Sequence, residues 1–334
     1  MRENNIKVEK AMIMAAGVGS RLGNLTKKVP KPLVPIANIP TMDFLIDLLI
    51  SNGITKIIAN THYLGTQIET RYKERQDIEF ESIHEDILSG TAGGVKKCQH
   101  FFNKGETFLV LSADGLTDVD LESVFNAHIK SGCIATIVTK DVEKEEVNKF
   151  GVIVTNKDNI ITEFQEKPSI EEAKSNSINT GIYVFNYDIF NYIPECDKCD
   201  FANNVFPTLM RNDIKINTYK TQNYWSDIGS VSQYILSTQD IIEKKLHKDK
   251  INVTFCDEYS CVFGTESEVD PTAELSGKNV IGNNCKIKKN AKVVNSIIWD
   301  NVTIEEGVTI KDSIITSGCT VSKNTENEII EQEE

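Results

Sequence analysis

From Ala11 to Ala15 the chain is continuously apolar (AMIMA), and the glycine-rich stretch Gly17-Val18-Gly19-Ser20 follows at once. A short apolar run broken by glycine predicts a buried strand entering a turn. Residues 41–52 predict a helix: Thr41 is placed to cap it, Asp43 suits the positive end of its dipole, and Gly53 can end it. A strand is predicted at 57–59, a helix at 63–73, and a strand at 78–83, where apolar and polar positions alternate. The apolar run 108–111 predicts another strand, leading into Ser112-Ala113-Asp114-Gly115. A helix over about 120–130 and a strand over 133–139 follow. Alternating strands and helices imply an α/β, Rossmann-like, mostly parallel sheet covered on both faces. Ligands of such sheets bind at the carboxyl ends of the strands, where the glycine turn and Asp114 both fall.

After residue 150 the pattern changes. Residues 151–155, 160–165 and 181–185 read as strands with little helix between them, and helices are expected near 201–211 and 230–245. These parts are expected to wrap the same crevice and hold a second substrate. Near residue 250 the pattern changes again. Val269, Leu275, Ile281, Ile287 and Val293 recur every six residues; the beat slips and returns as Val302 to Val308 and Ile304 to Ile310. A period of six suits neither a helix nor an alternating strand. It suits a parallel β-helix whose short strands each place one aliphatic residue in a central stack, with an antiparallel meander as the competing reading. The polar, acidic stretch after Val321 reads as a disordered tail. The resulting division is 1–248, 249–321 and 322–334.

Composition narrows the function. The 334 residues carry a net charge of −13, which disfavours a nucleic-acid partner because phosphate backbones are met by clustered Lys and Arg. A phosphorylated small molecule needs only a few local cations. No apolar stretch is long enough for a membrane span and no leader-like segment opens the chain, so a cytoplasmic protein without membrane contact is expected. The eight cysteines are scattered, as reduced thiols would be. Cys196 and Cys199 form one C-x-x-C pair, read as two loop thiols rather than a metal site.

The chemistry concentrates in Ala15-Ala16-Gly17-Val18-Gly19-Ser20-Arg21-Leu22 and Pro30-Lys31-Pro32-Leu33. Glycines let backbone approach phosphate, and turned amides can point at anionic oxygens. The planar fork of Arg21 suits phosphate, and the flanking prolines would hold Lys31 on a stiff arm. A dinucleotide loop would need glycine where Leu22 stands, and the Gly-Lys-Ser/Thr ending of a P-loop is missing.

These segments closely resemble the signature of the sugar nucleotidyltransferases. The resemblance continues, in the family's order, through S-G-T-A-G-G (89–94), L-S-A-D-G-L-T-D-V-D-L (111–121), F-G-V-I-V (150–154), E-K-P (166–168), N-T-G-I-Y-V-F (179–185) and W-S-D-I-G (225–229). Its wording is most similar to the mannose-1-phosphate guanylyltransferase branch, which often carries a hexapeptide-repeat β-helix. The resemblance implies a Rossmann-like nucleotidyltransferase domain followed by a short left-handed β-helix. It implies that Arg21 binds the triphosphate and its pyrophosphate leaving group and that Lys31 lies near the α-phosphate. It makes Asp114 and Asp227 the Mg²⁺ ligands, a hard-oxygen pair that the ion prefers. Lys167 would bind the sugar phosphate, and Gly151, Glu166 and Asn179 the sugar hydroxyls. Ala15, Ala16, Gly17, Gly19 and Ser20 would face the nucleotide, with Gly90 and Thr91 beside the base. The implied reaction is in-line attack of a sugar 1-phosphate on the α-phosphate of a nucleoside triphosphate. The attacking phosphate is already ionised, so none of the five histidines needs a role. Among the departures from the family pattern, Ala113 stands where glycine usually precedes the metal aspartate.

Glu85 is a candidate for base selection, because an acceptor-only carboxylate could take both N1–H and N2–H₂ of guanine; the competing reading is an exposed acid ending a strand. GTP is therefore the first expectation for the nucleotide, and mannose 1-phosphate for the sugar is what the resemblance alone implies. Glucose 1-phosphate or a manno-heptose 1-phosphate with UTP, dTTP, ATP or GTP stays open, as does a non-catalytic regulatory subunit. An acyltransferase on the same coil is disfavoured, since no histidine follows His247. An open coil end needs a cover, so a homo-oligomer is expected.

Overall fold

The computed structural model describes residues 8–195, 197–246, 254–256 and 261–332. In chain order it forms β1 (Lys10–Met14), the short pair β2 (Pro35–Ile36) and β3 (Ile39–Pro40), α1 (Thr41–Ser51), β4 (Lys56–Thr61), α2 (Gly65–Lys73), β5 (Glu79–His84) and α3 (Gly90–Lys97). β6 (Thr107–Ser112), β7 (Gly115–Thr117), α4 (Leu121–Ser131), β8 (Ala135–Asp141), β9 (Gly151–Thr155), β10 (Ile161–Glu166) and β11 (Ser177–Asn186) follow. α5 (Phe206–Arg211), β12 (Asn217–Lys220), β13 (Trp225–Asp227) and α6 (Val231–Ile242) lead to the coils. Two compact units result. The first is 1–18, 30–32 and 45–227; the second is 19–29, 33–44 and 228–334.

In the first unit the sheet runs β10-β9-β11-β6-β1-β4-β5, with β8 against β11 and β12 against β8. Its run β6-β1-β4-β5 is parallel, so the carboxyl ends of four strands share one edge. β11 enters antiparallel between β6 and β8. The apolar stretches of β1 and β6 are buried on both faces, as the continuous runs in sequence require. α4 shows why such segments stop and start where they do: Asp120 accepts from the Ser123 amide at 3.1 Å, and Gly132 closes the other end in a left-handed conformation. Two elements differ from expectation. Residues 90–97 form a helix that three glycines had hidden, and 201–205 form a π-turn before α5 rather than one continuous helix.

The second unit carries the coils. Three parallel sheets stack the short strands 261–263, 279–281, 297–298, 314–315 and 329–330 on one side, with the other two sides built the same way. Ile281, Ile287, Val293, Ile298, Ile304, Ile310, Ile315 and Val321 form one buried column. Their spacing is six, six, five, six, six, five, six, so the slipping beat is one residue dropped at a corner of each of the two coils between Ile281 and Ile315, while the coil before them keeps its full eighteen. Corners take Asn284, Asn290, Asn295 and Asn301 in the left-handed conformation that asparagine tolerates. Residues 322–332 are not the disordered tail expected. Thr325–Glu326 and Ile329–Ile330 pair in parallel with the coil before them, and two of the acids pair with lysines, Glu326 with Lys311 and Glu331 with Lys27. Ile330 packs on the apolar column, which a polar average over the segment concealed.

The expected boundary at 248/249 and Cys196 lie outside the described residues. By its bonds α6 belongs with the coils: the Tyr234 hydroxyl donates to the Pro35 carbonyl at 2.9 Å and accepts from Trp299 Nε1 at 2.9 Å, while Asn38 Nδ2 donates to the Ile281 carbonyl at 2.7 Å. Thr41 does not cap α1 through its side chain; its hydroxyl donates to the Val34 carbonyl at 2.8 Å.

Candidate active site

In the first unit the chain leaves β1 through Ala15 and Ala16, both buried, into the exposed Gly17. The Ala15 amide donates to both the backbone oxygen of Asn60 (3.2 Å) and its side-chain Oδ1 (3.1 Å). A β-carbon on Gly17 would meet nothing within 4 Å, so nothing in the protein itself fills the space beside it. Gly19, Ser20 and Arg21 belong to the second unit. There Gly19 is left-handed, its carbonyl accepts from the Leu22 amide and the Thr26 hydroxyl, and Arg21 is exposed.

Lys31, Asp114 and Asp227 come together in the first unit, all half-buried. Lys31 Nζ bonds Asp114 Oδ2 and lies 4.0 Å from Asp227 Oδ1. Asp114 sits just past β6, where the Ser112 hydroxyl donates to its Oδ1 at 2.6 Å and the Ala113 amide is held by the Met14 carbonyl. Asp227 ends β13, opposite Gly115 of β7. Burial works against the Asp114 charge, yet the Lys31 ammonium and the Ser112 hydroxyl outweigh it and hold the carboxyl below the usual range. Two carboxylates thus converge on one cationic atom, which balances part of their charge. Among the described residues no group of three or more His, Cys, Asp or Glu side chains forms a complete metal cage. A two-carboxylate set of this kind fits Mg²⁺, which takes few protein oxygens and completes its shell with water and phosphate.

Gly90 and Thr91 start α3. Gly90 has φ of +79°, and a β-carbon there would lie 2.5 Å from the Cys199 carbonyl oxygen. The first amides of the helix are taken up within the protein: Thr91 by Asp200 Oδ1 (3.0 Å), and Ala92 and Gly93 by the Cys199 carbonyl (2.9 and 3.0 Å). Glu85 requires a correction. It is 1% exposed rather than lying at a surface, and both its oxygens are taken. Oε1 accepts from Asn60 Nδ2 (2.6 Å); Oε2 accepts from the Ser89 amide (3.1 Å), the Ser89 hydroxyl and Lys97 Nζ (2.9 Å). Burial disfavours its charge, but the bonds from Ser89, Asn60 and Lys97 prevail and keep the carboxyl below its ordinary range. Each oxygen of this carboxylate is thus already engaged inside the protein.

Gly151, Glu166, Lys167 and Asn179 gather around β9, β10 and β11. A β-carbon on Gly151 would meet the Phe164 ring at 2.7 Å and Glu166 Oε2 at 3.3 Å. Lys167 is left-handed at φ +45°, its amide is held by the Phe150 carbonyl, and its side chain is 60% exposed, 3.9 Å from Glu166 Oε1. Asn179 is pinned between the Gly181 amide (3.0 Å) and the Tyr183 hydroxyl (2.9 Å). Tyr183 was not picked out in sequence. Burial pushes its phenol up to about 12, with the Glu166 and Asp114 charges adding and Asn179 opposing. Nothing marks it out in the sequence, because it reads as one aromatic in an apolar strand. Asn60 and Ser89 were missed for a similar reason: single polar residues carry meaning only through partners distant in sequence.

The nucleotidyl transferase family matches residues 10–244, and the GMPPB C-terminal domain matches residues 258–330. The chain is 32% identical to the UTP–glucose-1-phosphate uridylyltransferase of Synechocystis sp., across 94% of this chain and 89% of that protein. It is 30% identical to the glucose-1-phosphate adenylyltransferase of Mycoplasma mobile, across 90% and 84%. A Bacillus anthracis crystal structure assigned as a putative glucose-1-phosphate thymidylyltransferase shares the fold at a TM-score of 0.61 and 23% identity, spanning 69% of this chain and 93% of that one.

Proposed function

The chain belongs to the nucleotidyl transferase family and is a sugar-1-phosphate nucleotidyltransferase, and from that premise we propose that it joins GTP to mannose 1-phosphate, releasing pyrophosphate. The observation carrying the chemistry is the convergence of Asp114 and Asp227 on Lys31. Guanine and mannose are supported by the wording of the motifs and by the GMPPB C-terminal match.

In this reading Arg21 and the Ala15–Ser20 turn bind the triphosphate, and Gly90 and Thr91 border the base. Lys31 meets the α-phosphate, where its charge counters the negative charge that builds on the phosphate oxygens. Lys167 holds the phosphate of the sugar, while Gly151, Glu166 and Asn179 receive its hydroxyls. The sugar phosphate attacks in line and needs no base, because its second ionisation lies near about pH 6. Asp114 and Asp227 would hold Mg²⁺, which supplies charge neutralisation of the phosphate oxygens when bound.

A second substrate pair, UTP with glucose 1-phosphate, is favoured by the Synechocystis relative. Pyrophosphate release measured over a panel of nucleoside triphosphates and sugar 1-phosphates with Mg²⁺ decides between them. The best kcat/KM is expected for GTP with mannose 1-phosphate. A better value with UTP and glucose 1-phosphate moves the assignment to the second pair, and no release with any pair removes the enzymatic reading.

A further inference from the structure

Asn60 and Glu85 form a buried chain of hydrogen bonds between two loops, and its polarity runs one way. The Ala15 amide is a donor, so the atom of Asn60 facing it at 3.1 Å is Oδ1. The other end of the Asn60 side chain is then an NH₂, which needs an acceptor and finds Glu85 Oε1 at 2.6 Å. Glu85 Oε2 in turn faces only donors: the Ser89 amide and hydroxyl and the Lys97 ammonium. Asn60, Glu85 and Ser89 are at most 4% exposed. The chain is also walled in, since a β-carbon on Gly94 would lie 2.5 Å from Asn60 Nδ2 and 3.2 Å from Glu85 Oε1.

We propose that Asn60 and Glu85 are positioning residues that hold the Ala15–Gly17 turn and the Ser89–Thr91 turn in one fixed relation, so that the nucleotide meets two loops already set. The proposal rests on the reading of those turns as nucleotide-facing. It differs from direct base recognition by Glu85, because the carboxylate acts through Asn60 and Ser89. Only an acceptor-only residue satisfies position 85. A buried polar group facing a like group is costly, and a donor set against a donor gains nothing back.

The test exchanges the polarity. Glu85→Gln keeps the shape but sets its NH₂ against Asn60 Nδ2 in one orientation, and against Ser89 and Lys97 in the other. The double variant, Asn60→Asp with Glu85→Gln, restores every bond. Its new carboxylate at position 60 accepts from the Ala15 amide and from the new side-chain amide at position 85, whose oxygen accepts from Ser89 and Lys97. In the ligand-free full chain, Glu85→Gln is expected to speed hydrogen exchange at one end of the relay, the Ser89 amide or the Ala15 amide according to which way the new side-chain amide turns, about tenfold or more, on the order of the loss of one buried bond. The KM for the nucleoside triphosphate is expected to rise by about tenfold while that for the sugar phosphate changes by less than about twofold. The double variant is expected to return both readouts to within about threefold of the parent. A Glu85→Gln variant that changes neither the exchange of the Ser89 and Ala15 amides nor the KM for the nucleoside triphosphate overturns the relay, and so does a nucleotide defect that the double variant fails to repair, which would favour direct base contact. If Glu85→Gln does not fold, recovery of folding and of Ser89 protection in the double variant supports the relay, and failure to recover overturns it. Exchange that responds as expected in a protein releasing no pyrophosphate with any pair keeps the relay and removes the nucleotide reading.

Discussion

The two ends of the catalytic sheet are built differently. At the Ala15–Thr91 end, the turns are tied down by buried bonds through Asn60, Glu85 and Cys199 before any ligand arrives. At the Gly151–Lys167 end, the candidate sugar-phosphate side chains stand on the β9–β10 region, and the exposed Lys167 side chain lies 3.9 Å from Glu166. A set loop binds its ligand with little loss of conformational freedom, and so can be selective and tight. An open cation must be ordered on binding, but it can follow a phosphate through changes of sugar. Under the proposed function, the contrast suits a site that meets the nucleotide with a preformed cradle and the sugar phosphate with a side chain ordered on binding.

The largest test lies where the two ends meet, at Asp114, whose charge reaches both Lys31 and Tyr183. Asp114→Asn is expected to lower kcat/KM on the order of 10³-fold or more, with equal losses measured against either substrate, since charge stabilisation at the reacting phosphate is lost. A loss confined to one substrate would separate the two ends and break the comparison there.

The next effect sharpens the contrast in rigidity. Gly90→Ala sets a β-carbon 2.5 Å from a backbone oxygen at a positive φ, and a backbone carbonyl cannot swing aside. Strain and overpacking together predict about 2–4 kcal/mol of lost stability by urea unfolding. Gly151→Ala meets the tip of the Phe164 ring and the end of Glu166, side-chain atoms that yield more readily than a backbone carbonyl, so its cost is expected to stay under about 1.5 kcal/mol. Its effect should show in the KM for the sugar phosphate instead. Equal stability losses at the two glycines would mean that the two ends are equally rigid.

How much of this was readable beforehand follows the same contrast. Lys31, Asp114 and Asp227 were legible because short motifs carry them, and the structure brings them together. The coil was legible from the aliphatic beat, whose slip turned out to be a corner shortened by one residue. The last coil was not, because Ile329 and Ile330 sit among five acidic residues from Glu326 onward and the average hides them. α3 was hidden because Gly90, Gly93 and Gly94 argue against a helix, though each is small to admit Cys199, Ser89 or Asn60. Glu85 was misread because its partners stand at 60, 89 and 97, and no local pattern announces a carboxylate buried among them.

Lys167→Ala comes next in size. It is expected to raise the KM for the sugar 1-phosphate about 10- to 100-fold, as loss of one phosphate-pairing cation does, and to leave the KM for the nucleoside triphosphate within about twofold. Stability should change by less than about 0.5 kcal/mol, because the side chain is exposed and its ion pair is long. A rise in both KM values would mean that the open end also shapes the preformed one.

The smallest effect is a pH dependence that only the buried end should show. The folded Glu85 carboxyl lies below its ordinary value of 4.5, so the unfolded chain takes up its proton first as pH falls. The stability contributed by the charged form is therefore fully present above about pH 5.5 and is lost as pH drops through 4.5 and on through the folded value. Urea unfolding of the parent and of Glu85→Gln from about pH 7 to about pH 3 should show a stability gap that is flat at the upper end and narrows below pH 4.5. Glu166→Gln, at the exposed end, should stay within about 0.5 kcal/mol of the parent at about pH 7. A gap for Glu85→Gln that keeps its full size at the acid end of that range would mean that shape, not the charged acceptor, is what position 85 supplies to the two turns.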